Sequence, residues 1–299
     1  MATFSGVIPA ITTPFHPDLG IDHDFLRRHV HWLIESGCTG IVPLGSLGEG
    51  ATMSFEEKLR VLATCIGAAD NRVPVIAGIS SLSTAEAVRL AEEATRAGCR
   101  GLMVLPPYVY STDWREMKAH VQAVLRATTL PCILYNNPIA YRTDFLPEQM
   151  AELAGEYPHL VAVKESSADV RRVTALRSLT GNRLDILVGV DDLIVEGIRA
   201  GATGWIAGLV NALPAESVAL FHAALNGSEE VEQLYAWFLP LLRMDTVPKF
   251  VQLIKLAQEM VGQGSARVRP PRLELTGAEL DEAKHTIRTA LEHRPAIAP

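Results

Sequence analysis

The chain has 299 residues, of which 48% are hydrophobic and 20% charged. This is enough apolar sequence for a large core, and it excludes a disordered chain. A formal net charge of −7, without a lysine- or arginine-rich block, gives no electrostatic footprint for nucleic acid. No apolar run approaches the roughly 18 residues that cross a membrane, and the first residues lack the pattern of a signal peptide. We expect a cytoplasmic protein with no membrane or nucleic-acid partner.

Four cysteines are present, and their spacing argues against a disulfide or zinc framework. They are far apart and form no C-x-x-C pair; their positions are Cys38, Cys65, Cys99 and Cys132. A chain of this length does not need disulfides to stabilise its core. We therefore expect buried free thiols, as is typical of a reducing cytoplasm.

Eight short apolar runs alternate with helix-like segments along the chain. They span residues 7–11, 40–44, 73–77, 101–105, 132–135, 160–163, 186–188 and 204–207. Uninterrupted apolar runs of this length are typical of strands buried on both faces, as parallel strands are. Three of them follow a repeated Gly-x-x-Gly turn, whose first glycine suits a left-handed helix cap; these glycines are Gly37, Gly98 and Gly201.

Helix start signals lie between these runs. Ser54 with Glu57, and Ser83 with Glu86, match the pattern of a capping box. Eight strand–helix units in about 225 residues predict an α/β fold of the (β/α)8 TIM-barrel type. An open doubly wound sheet is the alternative, but no G-x-G-x-x-G follows the first run.

After about Pro214 the pattern is helical only. Segments 229–243, 248–261 and 276–293 predict three further helices, with an irregular connection at 262–273. No linker rich in Gly, Ser or Pro precedes them, so we expect them to pack on the barrel. The predicted organisation is a barrel at 1–225 that carries the active site, followed by a C-terminal helical extension at 226–299.

Reactive groups of such a barrel lie at the carboxyl ends of its strands. Lys164 follows the run at 160–163 and is the only one of six lysines at a predicted strand end. Burial disfavours an ammonium ion, so a lysine here can present a neutral amine that attacks a carbonyl. The other interpretation is a lysine paired with Glu165 or Asp191, and position alone favours neither.

Other strand ends offer further polar groups. Tyr135 ends the preceding run, where its hydroxyl can relay protons or its ring can close the barrel mouth. The segment 45–49 (Gly-Ser-Leu-Gly-Glu) offers backbone N–H groups and the Ser46 hydroxyl to a carboxylate, although any tight turn can use such a sequence. None of the nine histidines lies at a predicted strand end, so we expect no metal site.

These strand ends resemble those of the dihydrodipicolinate synthase and N-acetylneuraminate lyase family of Schiff-base-forming class I aldolases. The similarity runs from about Gly6 to Asn211. Five segments carry it in order, at residues 6–15, 45–49, 135–138, 163–167 and 189–192. One of them alone would be weak support, whereas five in order at strand ends are strong support. The resemblance implies that Lys164 forms an imine with the substrate.

The resemblance also implies roles for the surrounding residues. Tyr135 would donate and accept protons, while Ser46, with the amides of Ser46 and Leu47, would hold the carboxylate of a 2-oxo acid. The rest of the pocket would include Ser166, Gly189, Asp191 and Ile206. Because the family is usually tetrameric, we expect a homotetramer that acts on a small molecule without a cofactor.

Three positions depart from the pattern of the family's synthases. Leu47 replaces a threonine that relays protons to the strand-end tyrosine. Val109 stands where a neighbouring subunit would supply a tyrosine, although Tyr110 lies beside it. Arg142 falls two residues later than the arginine of the synthases. These changes leave imine formation intact but argue against a lysine-biosynthetic synthase.

Three reactions fit a Schiff base with an altered proton relay. They are aldol cleavage of a 2-keto-3-deoxy sugar acid, dehydration of such an acid, and deamination of 1-pyrroline-4-hydroxy-2-carboxylate, a cyclic imine of hydroxyproline breakdown. Leu47 and Val109 make the cavity more apolar, which favours a compact substrate and hence the deaminase or dehydratase reaction. Dihydrodipicolinate synthase proper and a non-catalytic 2-oxo acid sensor remain alternatives. A pyridoxal-phosphate barrel is disfavoured, because segment 204–208 is too apolar for a phosphate loop.

Overall fold

A parallel sheet forms the centre of the protein, which we describe from a computed structural model at residues 4–107 and 113–296. Val109 and Tyr110 lie outside these ranges. Seven strands pair in the order β1-β7-β6-β5-β4-β3-β2, and all of these pairs are parallel. The strands are β1 (Gly6–Pro9), β2 (Ile76–Ile79), β3 (Gly101–Val104), β4 (Cys132–Asn136), β5 (Leu160–Glu165), β6 (Asp185–Val188) and β7 (Gly204–Ala207).

The predicted strand at 40–44 closes the sheet into a barrel, although it contributes only isolated bridges. Val42 bridges Ala10 on one side, and Ile41 bridges Val75 on the other; both bridges are parallel. The Val42 amide donates to Pro9 at 2.8 Å. This segment therefore fills the gap between β1 and β2, and the eight-stranded barrel predicted from the sequence is confirmed.

Helices follow the strands around the barrel. Within the described ranges they are α1 (His23–Glu35), α2 (Phe55–Ala69), α3 (Thr84–Ala97), α4 (Trp114–Arg126), α5 (Pro138–Tyr141), α6 (Pro147–Glu156), α7 (Arg171–Thr180), α8 (Ile194–Arg199), α9 (Pro214–Asn226), α10 (Val231–Leu242), α11 (Phe250–Met260) and α12 (Gly277–Glu292). No helix in these ranges is long and apolar enough to cross a membrane. The predicted division at residues 225 and 226 falls within the last turn of α9 and stays a prediction.

The local signals act largely as predicted. The three turn glycines have φ between 97° and 107°; they are Gly37, Gly98 and Gly201. A residue with a side chain would adopt this left-handed conformation only with strain. Ser54 and Glu57 form a reciprocal capping box. At α3 only half of the predicted box is present, since Ser83 accepts from the Glu86 amide without a return bond. The four cysteines are free and buried, as expected.

The C-terminal extension is fastened to the barrel by a buried ion pair. Lys255 in α11 donates to Glu49 Oε1 at 2.7 Å, and both side chains are at most 2% exposed. The second oxygen, Glu49 Oε2, accepts from the Arg269 amide at 3.0 Å. Lys255 also donates to the Arg267 carbonyl at 2.7 Å. Each buried charge therefore has several partners, as burial of an ion pair requires.

Removing one partner of this pair should destabilise the fold strongly. In Lys255→Met, Glu49 keeps its charge in a buried site without its main counterion. We expect the free energy of unfolding to fall by about 3–5 kcal/mol, measured by urea denaturation. The matched control is Lys249→Met, because Lys249 precedes the same helix but pairs with Glu279 at the surface. That variant should change stability by less than about 1 kcal/mol; an equally small loss in Lys255→Met would contradict the interpretation.

Candidate active site

Lys164 and Tyr135 lie side by side at the carboxyl ends of two paired strands. They are direct partners in the register of β4 and β5. Lys164 is only 6% exposed, and its Nζ lies 4.3 Å from the centre of the Tyr135 ring. The contact that holds this amine is therefore the face of the ring, since no hydrogen-bond partner of the amine lies in the described part of the chain. The barrel thus brings together the two residues that the sequence singled out.

The carboxylates near Lys164 are engaged elsewhere. Glu165 accepts from the Ser167 amide at 2.6 Å and from Asn136 Nδ2 at 3.2 Å. Burial raises the pKa of the Glu165 carboxyl above its ordinary value. Throughout residues 4–107 and 113–296, no Asp or Glu oxygen lies within 4.0 Å of Lys164 Nζ. The geometry therefore does not support a structural ion pair for this lysine.

Gly189 provides the space that Lys164 occupies. A Cβ atom at this position would lie 2.6 Å from Lys164 Cε and 2.0 Å from Ser166 Oγ. No alanine fits there without displacing both side chains. The Ser166 hydroxyl is buried and has no hydrogen-bond partner in the described part of the chain. This hydroxyl is therefore available to bond with a molecule that enters the same space.

The loop at 45–49 presents unused backbone donors to the same end of the barrel. The amides of Ser46 and Leu47 donate to no acceptor among the described residues. The loop itself is fixed, because Thr13 Oγ1 donates to the Gly48 carbonyl at 2.7 Å and Glu49 binds Lys255. Leu47 is 3% exposed and belongs to the hydrophobic core, so its side chain supplies no hydroxyl to the site.

Tyr141, which the sequence reasoning missed, joins Tyr135 to this loop. Its hydroxyl is hydrogen-bonded to Ser46 Oγ. Its ring meets the Tyr135 ring edge to face, with the centroids 5.8 Å apart. The Asn137-Pro138 pair is a helix start signal, with Asn137 accepting from the Ala140 amide. Recognition of that signal would have placed Tyr141 one turn later, back over the barrel mouth.

Asp191 is an anchor for the backbone that follows β7. Its carboxylate accepts from Trp205 Nε1 at 2.9 Å and from the Leu209 amide at 2.8 Å, and the Gly208 amide also donates to it. Burial raises its pKa to about 6, and these donors oppose the rise. Ile206 in β7 is 1% exposed. It lies on the same face of that strand as Gly204, since side chains alternate along a strand.

A second carboxylate that the sequence did not mark lies beside this anchor. Asp245 belongs to a short 3-10 helix, Arg243–Thr246, between α10 and α11. Its Oδ1 lies 2.1 Å from the position that a Cβ on Gly208 would take. Asp245 reaches the site only because the extension packs on the barrel. No local pattern around residue 245 indicates that placement.

Comparison with known sequences connects this geometry to one family. A sequence model described as the dihydrodipicolinate synthetase family matches residues 3–290. A relative named 4-hydroxy-tetrahydrodipicolinate synthase, from Geotalea daltonii, is 34% identical over 279 residues, covering 92% of this chain and 94% of its own. One of the same name from Methanopyrus kandleri is 35% identical, covering 96% of this chain and 95% of its own.

Solved structures show the same relationship. The 4-hydroxy-tetrahydrodipicolinate synthase of Methylacidiphilum fumariolicum has a TM-score of 0.93 and 30% identity, with 97% of each chain covered. A prophage protein of the dihydrodipicolinic acid synthase family from E. coli K12, solved with pyruvate, has a TM-score of 0.91 and 26% identity. It is covered over 99% of its chain and 97% of this one. The chain belongs to the dihydrodipicolinate synthetase family of Schiff-base-forming lyases.

Proposed function

We propose that Lys164 is the nucleophile of this lyase and forms an imine with a small 2-oxo acid or cyclic imine. The observation that carries the proposal is a buried amine at a strand end, against the Tyr135 ring and with no ion pair to any described residue. The neutral form of such an amine attacks C2 of the substrate. The pyruvate bound to the E. coli relative supports a 2-oxo acid as the ligand class.

The substrate carboxylate would bind at the loop of residues 45–49. The amides of Ser46 and Leu47 donate to no described residue, so both can donate to an anion. Backbone donors of this kind bind a carboxylate without an arginine. The Ser46 hydroxyl adds a third donor. Ser166, Gly189 and Ile206 would line the remaining pocket, and Asp191 would hold the chain after β7 in place. This arrangement fixes C2 of the substrate near Lys164.

Tyr135 would be the acid and base at the substrate, and Tyr141 would connect it to Ser46. Asn137 Nδ2 donates to the Tyr135 hydroxyl at 3.0 Å, which orients that group. Leu47 removes one hydroxyl from the relay expected of a synthase. Tyr141 restores a hydroxyl from within the same chain, which supports an altered relay rather than a lost one.

The reaction that we favour is deamination of 1-pyrroline-4-hydroxy-2-carboxylate. The Lys164 amine adds to C2, and the C2–N bond of the ring breaks, so the ring nitrogen leaves as a primary amine. Loss of a C3 proton then gives an enamine, which expels the 4-hydroxyl as water. Tautomerisation turns the primary amine into an imine, and water hydrolyses both imines to release ammonia and the dioxo acid. The apolar, buried Leu47 supports a compact substrate over a polyol.

The relatives favour a second candidate, because their printed name is 4-hydroxy-tetrahydrodipicolinate synthase. Leu47, in place of the hydroxyl residue of the synthases, argues against it here. We also propose a homotetramer, as the family usually forms, and a cytoplasmic location. The latter is supported by four cysteines that are all free.

Product analysis separates these reactions. Purified protein should release ammonia from 1-pyrroline-4-hydroxy-2-carboxylate, and Lys164→Ala should lower the rate roughly a thousandfold or more. Lys284→Ala is the control, since Lys284 lies in α12 away from the barrel mouth, and it should keep the rate. Pyruvate from 2-keto-3-deoxy sugar acids, or formation of 4-hydroxy-tetrahydrodipicolinate, without ammonia release would contradict the proposed substrate. Binding of 2-oxo acids without any turnover would favour a sensor.

The Tyr141 hydroxyl should matter for turnover rather than for folding. In Tyr141→Phe, the hydrogen bond to Ser46 Oγ is lost while the ring contact with Tyr135 stays. We expect kcat to fall about a hundredfold, as is typical of a lost proton-transfer group. Tyr157→Phe, at the end of α6, is the control and should leave kcat unchanged. Wild-type kcat in Tyr141→Phe would exclude this hydroxyl from the relay.

A further inference from the structure

Asp245 lies over the carboxyl end of β7, where its carboxylate fills the space beside Gly208. Gly189 follows β6 and Gly208 follows β7, and these strands are paired neighbours. The space above Gly189 holds Lys164 Cε, whereas the space above Gly208 holds the Asp245 carboxylate. The Lys164 amine and the Asp245 carboxyl group thus lie above neighbouring glycines at the same end of the barrel. Asp245 is half-buried, which leaves it accessible to a bound molecule.

The two carboxyl groups of this region differ in their hydrogen bonding. Asp191 receives hydrogen bonds from Trp205, Gly208 and Leu209. Asp245 has no hydrogen bond or ion pair to any residue in the described ranges. Hydrogen-bond donors stabilise an ionised carboxylate. Of the two carboxyl groups, Asp191 is therefore the one that carries the negative charge.

The charges around Asp245 act in the same direction. Burial raises the pKa of Asp245 well above its ordinary value, and the negative charge of Asp191 raises it further. Lys164 opposes this rise, and Asp192 adds to it. Arg243, on the same 3-10 helix, lies 3.6 Å from Asp192 and not against Asp245. Asp245 therefore holds a proton at a pH where an ordinary aspartate has lost it.

We infer that Asp245 is the general acid that protonates the hydroxyl leaving the carbon next to C3 of the lysine-bound substrate. This inference rests on the proposed elimination. As the C3 proton passes to Tyr135, its electron pair forms the C2–C3 double bond, and the C2=N pair moves to the lysine nitrogen. The nitrogen pair then re-forms the C2=N bond, the C2–C3 pair shifts to make a C3–C4 double bond, and the C4–O bond breaks. The Asp245 proton moves to the departing oxygen, which leaves as water. Asp245 is left as a carboxylate and regains its proton from solvent before the next turnover.

The test compares leaving groups that differ in their need for a proton. Asp245→Asn keeps the shape of the side chain but cannot donate this proton. With the hydroxypyrroline, we expect kcat to fall about a hundredfold. With the analogue that carries fluoride at C4, which leaves without protonation, the variant should stay within about threefold of the wild type. Asp245→Ala should show the same contrast. Asp281→Asn, at the exposed face of α12, is the matched control, and it should stay within about threefold on both substrates.

Two further readouts separate a chemical role from a structural one. Borohydride reduction with pyruvate should modify Lys164 equally in the wild type and in Asp245→Asn, because imine formation precedes the proposed step. In the wild type, kcat should fall as pH rises through the pKa of Asp245, since the acid is then ionised. That alkaline decrease should be absent from the slow turnover of Asp245→Asn.

The outcomes distinguish this inference from the proposed function. Wild-type kcat in Asp245→Asn, an equal loss on the fluoride analogue, or loss of the pyruvate adduct in both Asp245 variants would each overturn the inference. If the wild type dehydrates 2-keto-3-deoxy sugar acids but releases no ammonia, the proposed substrate is wrong. The same comparison on those acids then decides the role of Asp245. If the wild type eliminates water from neither substrate class, both proposals fail.

Discussion

The buried contact between Glu49 and Lys255 joins the two parts of the chain that surround the active site. Glu49 ends the loop of residues 45–49, and its backbone is held in the left-handed region at φ 55°. Burial lowers the pKa of Lys255 to about 8, despite the opposing effect of Glu49, so desolvation is only partly offset. A pair of this kind tolerates little displacement, because either charge alone would be buried without compensation. It therefore fixes the extension in one position on the barrel.

That position determines what surrounds Lys164. Asp245 lies five residues before the start of α11, the helix that carries Lys255. The same docking that fixes the loop of residues 45–49 thus also sets the position of the Asp245 carboxyl group. Gly189 and Gly208 leave out the side-chain volume that Lys164 and Asp245 occupy. The site therefore depends as much on glycine at these two positions as on the residues that react.

The sequence predicts the barrel well because its signals are local. Apolar runs indicate buried strands, and the repeated Gly-x-x-Gly turn indicates where a helix ends. The strand at 40–44 shows the limit of this reasoning, since its bridges on both sides depend on barrel closure. Lys164 was identified because it follows a buried run, and the family motifs then separated an imine-forming lysine from an ion-paired one.

The rest of the site could not be read from local pattern. Lys255 and Asp245 acquire their surroundings from contacts between segments about 200 and 40 residues apart in the chain. In the sequence alone, a buried lysine on a helix such as Lys255 looks the same as a lysine that faces solvent. Tyr141 is intermediate, because the Asn137-Pro138 start signal was available in the sequence. Only its contact with Ser46 required three-dimensional structure.

The central claim is that Lys164 reacts covalently with a 2-oxo acid. Borohydride reduction in the presence of pyruvate, followed by peptide mass spectrometry, tests it most directly, since reduction traps the imine as a stable amine. We expect one pyruvate-derived mass on the peptide that contains Lys164 and no such mass in Lys164→Ala. A protein that gains no adduct at Lys164, or an undiminished adduct in Lys164→Ala, would contradict the claim.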